Sequence, residues 1–151
     1  CAAERLSALN SEITIRTYPI RLTEENAQEI ISQYDIVVDG CDNFSTRYLI
    51  NDICAEMGKV YVYGAICGFE GQVSVFHYGE EKKSYRDLYP DEEEMRRMPP
   101  PPKGVMGITP AVTGSIEATE VLKIICGFGE VLSGKLWTID LRTLQSNKFS
   151  L

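Results

Sequence analysis

Two carboxylates are the side chains of this sequence best placed to take part in chemistry, because they lie where an apolar run meets a helical pattern. Asp39 follows residues 35–38, which have the composition of a buried strand, and Asp42 opens the helical pattern. In an open parallel α/β sheet, ligands bind beyond the carboxyl ends of the strands, where loops and helix N-termini meet. The spacing therefore predicts that Asp39 and Asp42 lie at the ligand-binding edge of a sheet.

The helical pattern after Asp42 also allows a plainer interpretation. Asp is a residue type that caps helix N-termini, so Asp42 needs no chemical role at that position. Arg47 and Asn51 share one helix face with Asn43, because residues four apart are neighbours on a helix surface. That face either borders a binding groove or faces solvent, and both alternatives are open at this stage.

Hydrophobic periodicity predicts an alternation of helices and strands, and hence an α/β domain. Helices are predicted at 2–9, after the Thr23 cap, from Phe44 to Met57 with a stop at Gly58, and from Thr109 to a stop at Gly127. Strands are predicted at 13–18, 35–39, 60–65 and 72–78, the last with one buried face, and a β-hairpin at 135–140 and 146–151.

The segment 79–107 differs from the rest of the chain in composition. It combines charge runs at 79–83 and 91–94 with four consecutive prolines at 99–102. Such a composition does not form a packed core, and loops of this length are usually functional or disordered. We expect a long exposed loop here, either a moving cover over the site or a solvated excursion of the surface.

Length and charge limit the class of protein. The 151 residues, 44% of them hydrophobic, suffice for one domain of ordinary size. The net charge of -7 works against a nucleic acid or an anionic membrane as the main partner. No apolar run approaches the roughly 20 residues of a membrane span, and the N-terminal residues lack the pattern of a signal peptide. We therefore expect a cytoplasmic protein without a nucleic-acid or membrane partner.

The cysteines do not indicate a disulfide framework. They stand at positions 1, 41, 54, 67 and 126, odd in number and widely spaced, and no pair has the Cys-x-x-Cys spacing of a metal site. We expect reduced thiols, with Cys67 and Cys126 packed and inert.

Three segments, in order along the chain, resemble one protein family. Residues 38–51 are similar to the D-x-x-D-N-x-x-x-R-x-x-x-N signature of the ThiF/MoeB/HesA family, bacterial relatives of ubiquitin-activating enzymes. The fixed positions of that signature fall on Asp39, Asp42, Asn43, Arg47 and Asn51. Residues 64–76 and 104–123 match two further motifs. The resemblance covers nearly the whole chain and implies the second half of a Rossmann-like doubly wound domain with a mixed sheet and a C-terminal antiparallel hairpin.

The resemblance implies an ATP-dependent adenylyltransferase that joins the C-terminal carboxylate of a ubiquitin-like sulfur carrier, of thiamin or molybdopterin type, to AMP. ATP and Mg²⁺ are the implied cofactors, because a divalent cation offsets the charge when a carboxylate approaches a triphosphate. Asp42 falls on the catalytic position tied to Mg-ATP, and Asp39 is a weaker second candidate. Asn43 and Arg47 are implied nucleotide-site residues, although Arg47 could equally hold the helix against the sheet through a carboxylate.

The same resemblance implies where the carrier binds. Gly68, Gly71 and Gln72 lie where the family passes the carrier's extended Gly-Gly tail, and small residues permit close backbone approach. A plain β-turn between two strands is the other interpretation of these residues. Residues 79–107 correspond to the family's crossover loop, which would cover the tail, and the resemblance favours a homodimer.

Several features of the family are missing from this sequence. Residues 84–87 replace one of the family's zinc-binding Cys-x-x-Cys pairs, so we expect no zinc site. No cysteine lies near Pro100, where some members carry a sulfur-handling one. No G-x-G-x-x-G follows a predicted strand. We therefore expect residues 1–151 to be the C-terminal part of a single adenylation domain, inactive and weak in ATP binding when alone.

Other functions stay open. A degenerate, non-catalytic family member would serve as a dimerisation or carrier-binding module. Residues 36–40 would also suit a nicotinamide-dependent dehydrogenase. That function, however, predicts neither the motif at 71–73 nor the helix from Thr109. Within the family, the acceptor could be a tRNA-linked carboxylate or a peptide, although the net charge of -7 argues against RNA.

Overall fold

The structure, a computed structural model, describes residues 2–99 and 104–151. Its helices are α1 (Ala2–Leu9), α2 (Glu24–Ile31), α3 (Phe44–Met57), α4 (Tyr85–Leu88), α5 (Glu92–Arg97) and α6 (Ile108–Cys126). Its strands are β1 (Ile36–Val38), β2 (Val60–Cys67), β3 (Glu70–Phe76), β4 (Lys135–Asp140) and β5 (Gln145–Ser150). In the described ranges, no helix is both long enough and apolar enough to cross a membrane.

The strands form one mixed sheet in the order β1-β2-β3-β4-β5. β1 pairs with β2 in parallel, whereas the other three neighbouring pairs are antiparallel. The predicted fold class and its C-terminal hairpin are therefore confirmed. The predicted strand at 13–18 is wrong: alternating residues alone supply no partner strand, and the side chains of Arg16 and Tyr18 instead bind Gln33 next to α2.

Helices cover both faces of the sheet. On one face, α2, α3 and α4 pack over a core that includes Tyr61, Tyr63 and Phe76. On the other face, α6 packs over Val62 and Val73. The prediction that β3 buries only one face is wrong, because this strand lies in the middle of the sheet and both its faces are covered.

Helix α3 has clear local signals at both ends. Asn43 caps it, since its side-chain oxygen accepts a hydrogen bond from the Thr46 N–H at 2.9 Å. Gly58 ends it in the left-handed conformation, with φ of 63°. Arg47 and Asn51, between these ends, are buried. The signature face of the helix therefore faces the interior, and the solvent-facing alternative is wrong for these two residues.

The segment 79–107 contains α4 and α5 and contributes to the core. Tyr85 is fully buried, and its ring centroid lies 5.0 Å from that of Tyr48 and 5.2 Å from that of Tyr63. The expectation of a wholly exposed loop is therefore wrong for residues 85–88, because an aromatic side chain between the charge runs anchors them. Of the proline run, only Pro99 falls within the described residues.

Candidate functional site

A cleft of about 680 Å³ lies on the α3 face of the sheet. Asp42 lines it beside the start of α3, and strands β2 to β5 supply its floor. Met98, Pro99 and Val105, all from the segment 79–107, line it as well. The cleft therefore brings the predicted site and the predicted cover segment together.

Asp39 and Arg47 form a buried ion pair next to the cleft. Arg47 Nε donates to Asp39 Oδ2 at 2.8 Å. Asp39 also accepts hydrogen bonds from the Cys41 N–H at 2.7 Å and from the Tyr61 hydroxyl at 3.1 Å. Because Asp39 is only 6% exposed and is engaged by three donors, it is a structural anchor, and its geometry does not support a role as a second metal ligand.

Arg47 holds α3 against the sheet through further contacts. Its Nη2 donates to the carbonyl oxygens of Cys41 at 2.6 Å and of Gly64 at 3.3 Å, and the guanidinium lies 5.7 Å from the centroid of the Tyr63 ring. Burial lowers the pKa of Arg47, but the charge and hydrogen bond of Asp39 outweigh it and the pKa lies above its ordinary value. These contacts fit the second role that the sequence left open, and a contact with nucleotide stays a prediction.

Asp42 differs from Asp39 in being exposed. Its one side-chain partner among the described residues is Asn43, whose Nδ2 donates to Asp42 Oδ1 at 3.1 Å. The rest of the carboxylate is free to bind a ligand in the cleft. Mg²⁺ takes oxygen ligands and keeps several waters, so one or two carboxylates suffice to hold it. The chemistry and exposure of Asp42 fit that ion.

Two other predicted ligand-binding residues lie outside the cleft lining. Asn43 is the α3 cap, and Gly68 lies in the β2–β3 turn with φ of 59°, which fits the plain turn interpretation. Gly71 does line the cleft, but α6 explains its missing side chain, since a Cβ there would collide with Thr113 Oγ1.

Gln72 is the predicted tail-binding residue whose side chain is held at the cleft. Its Nε2 donates to the Tyr63 hydroxyl at 2.7 Å and to the Tyr89 hydroxyl at 3.0 Å, and all three residues line the cleft. Sequence reasoning missed both tyrosines, because an aromatic residue in an apolar pattern predicts a core position and carries no signal of a polar contact.

A row of side chains crosses the cleft floor at the level of Gln72. Strand register places Gln72 between Ala65 and Thr138, and Thr138 beside Asn147. All four residues line the cleft. Thr138 and Asn147 were also missed from the sequence, although the register of the C-terminal hairpin, once assigned, places them on one face.

A buried carboxyl group lies on the opposite face of the sheet. Glu117 of α6 is 7% exposed, and a Cβ on Gly64 would collide with its carboxyl group. Its Oε1 accepts no hydrogen bond from the described residues. Burial and, to a smaller extent, the charge of Asp39 raise the pKa of Glu117 to about 7. Within its motif Glu117 continues a helical pattern, so the sequence carries no separate signal for it.

The four thiols among the described residues fall into two classes. Burial raises the pKa of Cys41 and of Cys54 to about 12 in each case, so both are poor nucleophiles at neutral pH. Cys67 and Cys126 are exposed, and the expectation that they are packed is wrong because each ends its strand or helix. In the part of the chain that the structure describes, no group of three or more His, Cys, Asp or Glu side chains could hold a metal ion.

The fold is that of a Rossmann-like α/β protein with a mixed sheet, and the candidate site is a cleft beside the carboxyl end of its parallel strand pair. The chain belongs to the ThiF family, which matches residues 1–151. It is 47% identical over 151 residues to the sulfur carrier protein adenylyltransferase of Thermus thermophilus, a match that covers 92% of this chain and 53% of that protein. It is 43% identical over 152 residues to the "Probable molybdopterin-synthase adenylyltransferase" of Pyropia yezoensis, covering 99% of this chain and 40% of that protein. The chain thus spans about half the length of these relatives, or less.

Solved structures show the same fold. The chain is similar to E. coli MccB crystallised with ATP, with a TM-score of 0.78 and 18% identity over 98% of this chain and 46% of that one. It is similar to PaaA with a TM-score of 0.77 and 14% identity over 99% of this chain and 46% of that one. At such low identity the likeness concerns the fold alone.

Proposed function

We propose that this chain supplies the carrier-binding cleft and the metal-binding carboxylate of an ATP-dependent adenylyltransferase. The observation that carries the proposal is Asp42, an exposed carboxylate at the start of α3 on the wall of the cleft. The names of the relatives in T. thermophilus and P. yezoensis support it. The proposed partner is a ubiquitin-like sulfur carrier of the molybdopterin or thiamin type.

The proposed reaction brings two anions together. An oxygen of the carrier's C-terminal carboxylate forms a bond to the α-phosphorus of ATP, and the bond from that phosphorus to the pyrophosphate leaving group breaks. Mg²⁺, when bound, would offset the charge of the triphosphate. Asp42 would hold that ion, and its exposure leaves room for the waters that Mg²⁺ keeps.

The carrier tail would lie extended across the cleft floor, past Gln72 and toward Asp42. Met98, Pro99 and Val105 line the same cleft, which supports a covering role for the segment 79–107. Gly68 and Gly71 would then shape the floor through the turn and through close packing of α6, and Gln72 would contact the tail directly.

We infer further that residues 1–151 are the C-terminal part of a single adenylation domain. β1 is an edge strand of the sheet, and Val38, Leu122 and Ile125 expose apolar side chains on β1 and α6. Val38 and Leu122 border a groove that Asp39 and Glu117 also line. This surface suits the nucleotide-binding part of the domain, for which the greater length of the relatives leaves room.

The protein is proposed to be a cytoplasmic homodimer that uses ATP and Mg²⁺ and holds no zinc. The family resemblance supports a homodimer, and composition supports a cytoplasmic location. Residues 84–87, which stand in place of a Cys-x-x-Cys pair, support a protein without zinc. The ATP and Mg²⁺ requirement follows from the proposed reaction.

The second candidate function is a non-catalytic carrier-binding module. One observation favours it: the guanidinium of Arg47, which lines the cleft, is engaged by Asp39 and two backbone carbonyl oxygens. A module of this kind would bind the carrier without turning over ATP.

Carrier-dependent exchange between ATP and labelled pyrophosphate separates the two functions. The assay uses a protein that unites this chain with a nucleotide-binding part of the domain. We expect exchange with a sulfur carrier whose C-terminal carboxylate is free, and none with the same carrier ending in a carboxamide. Carrier binding without any exchange supports the module instead, and exchange that ignores the terminal carboxylate contradicts the proposed reaction.

A further inference from the structure

The side-chain amide of Gln72 has its whole donor capacity engaged before any ligand binds. A glutamine amide nitrogen carries two hydrogens, and here they are directed to the hydroxyl oxygens of Tyr63 at 2.7 Å and Tyr89 at 3.0 Å. Its carbonyl oxygen Oε1 accepts no hydrogen bond from residues 2–99 or 104–151. Gln72 therefore offers the cleft a hydrogen-bond acceptor.

The two tyrosines are held by different elements. Tyr63 of β2 is 1% exposed and lies under the guanidinium of Arg47. Tyr89 follows α4, packs against the rings of Phe44 and Tyr85 at centroid distances of 6.2 and 5.2 Å, and its carbonyl oxygen accepts a hydrogen bond from the Tyr48 hydroxyl at 2.7 Å. Neither hydroxyl can turn away without disturbing the core, so the pair acts as a rigid clamp.

The position of the clamp suits an extended peptide chain. Gln72 lies on the cleft floor between Ala65 and Thr138, and the backbone N–H groups of an extended peptide are donors that need acceptors. An amide that is free to rotate would present its NH₂ group as often as its oxygen, and it would lose entropy on binding. A fixed amide avoids both costs.

We propose that Tyr63 and Tyr89 are positioning residues: they fix the Gln72 amide so that its Oε1 accepts a backbone N–H of the carrier tail. This inference rests on the proposed function, because it takes an extended peptide as the ligand of the cleft. It also links the tail site to the segment 79–107, since Tyr89 belongs to that segment and its displacement would release the amide.

The clamp itself is tested without a ligand. In the protein with ¹⁵N-labelled glutamine, the Gln72 side-chain NH₂ signals are expected to shift in Tyr89→Phe and in Tyr63→Phe. Tyr85→Phe is the matched control, because it removes a hydroxyl of the same aromatic cluster that has no partner among the described residues. Unchanged Gln72 signals in both clamp variants would overturn the proposal.

The functional consequence is tested with a short synthetic peptide that ends in Gly-Gly with a free carboxylate. Tyr89→Phe and Tyr63→Phe are each expected to weaken its binding by about threefold to tenfold, the loss of roughly one hydrogen bond, whereas Tyr85→Phe leaves it unchanged. In the Gln72→Ala background the same tyrosine changes are expected to have no further effect, because they act through Gln72.

The outcomes separate the clamp from the function on which it rests. Tyr89→Phe could weaken peptide binding by the same factor in the unchanged protein and in the Gln72→Ala background. That result would show a general packing effect and would overturn the clamp but not the proposed function. Alternatively, the Gln72 side-chain signals could shift in both tyrosine variants as expected while the unchanged protein binds no such peptide. That result would overturn the proposed function, and with it the role given to the clamp.

Discussion

The two aspartates of the signature, three residues apart, have opposite environments. Asp39 is buried and bound by Arg47, Tyr61 and the Cys41 N–H, whereas Asp42 is exposed on the cleft wall. A motif of this kind therefore combines one residue that maintains the fold with one that is free for a ligand. The family resemblance ranked Asp42 above Asp39, but spacing and residue type could not show which of the two is buried, because both follow the same strand.

Removing the Asp39 partner should destabilise the fold. Arg47→Met is expected to lower the free energy of unfolding by about 3–5 kcal/mol, because it leaves a buried carboxylate without its ion pair. Urea denaturation of both proteins measures the difference. Asp42→Asn is the comparison, and its free energy of unfolding should stay within about 0.5 kcal/mol of the unchanged protein; equal losses for both variants would refute the division of roles.

Glu117 should make stability depend on pH. Its pKa in the folded protein is raised to about 7 from an ordinary value of 4.5, so between these values the folded state binds more protons than the unfolded state, and the stability that Glu117 contributes falls as pH rises. Glu117→Gln should remove this slope and gain on the order of 3 kcal/mol relative to the unchanged protein on going from pH 4.5 to pH 8. Denaturation at several pH values measures the difference in free energy of unfolding between the two proteins. A difference that stays constant from pH 4.5 to pH 8 would contradict this role of Glu117.

At the scale of elements, Asn51 ties α3 to the start of α4. Its Oδ1 accepts hydrogen bonds from the Tyr85 N–H at 2.8 Å and approaches His77 Nε2 at 3.0 Å. The last fixed position of the signature therefore anchors the segment that leads to the cleft rim. A motif residue can serve the site through an element that it holds in place rather than through the ligand.

Loss of this anchor should loosen α4 before the rest of the fold. Asn51→Ala is expected to lower the free energy of unfolding by about 1–3 kcal/mol, because the buried Tyr85 N–H loses its acceptor. Hydrogen exchange should speed up most at the amides of Tyr85–Leu88. Glu56→Gln, an exposed change on the same helix, serves as the control, and uniform exchange across the chain in Asn51→Ala would argue against a local anchor.

Elements with local signals were predictable, and those that depend on distant partners were not. α3 and α6 have periodic apolar faces and a glycine after the last turn, and the C-terminal hairpin alternates over adjacent strands. The predictions for residues 13–18 and for the faces of β3 failed, because both depend on which distant segment pairs with or covers the strand. The burial of Tyr85 was hidden in the same way, because charged neighbours outweigh one aromatic residue in any local average.

The sheet is open on the side of β1, where no further strand of the described residues pairs with it. Leu122 and Ile125, on the outer face of α6, are 52% and 67% exposed. The helix and the strand on this side could be predicted from the sequence, but their exposed apolar surface could not. An apolar helix pattern does not show which of its residues a neighbouring element covers.

This apolar surface should matter for assembly and not for the folding of the chain itself. Leu122→Lys with Ile125→Lys is expected to change the free energy of unfolding of this chain by no more than about 0.5 kcal/mol, as for exposed positions generally. The same pair of changes should reduce exchange activity in a protein that also contains the nucleotide-binding part. A matched pair of changes at the opposite edge of the sheet, Ser146→Lys with Ser150→Lys, provides the control, because both serines are exposed on β5 and neither lines the cleft. Equal activity in both variants would rule out this surface.

Asp42 is proposed to hold the metal ion of an adenylation reaction in the cleft. The most direct measurement is carrier-dependent ATP–pyrophosphate exchange for Asp42→Asn against Asp35→Asn, the latter an exposed aspartate outside the cleft lining. We predict that Asp42→Asn lowers the exchange rate at saturating carrier by roughly 100-fold or more without weakening carrier binding, and that Asp35→Asn does not. An Asp42→Asn protein whose exchange rate stays within about twofold of that of the unchanged protein would show that Asp42 does not hold the metal ion.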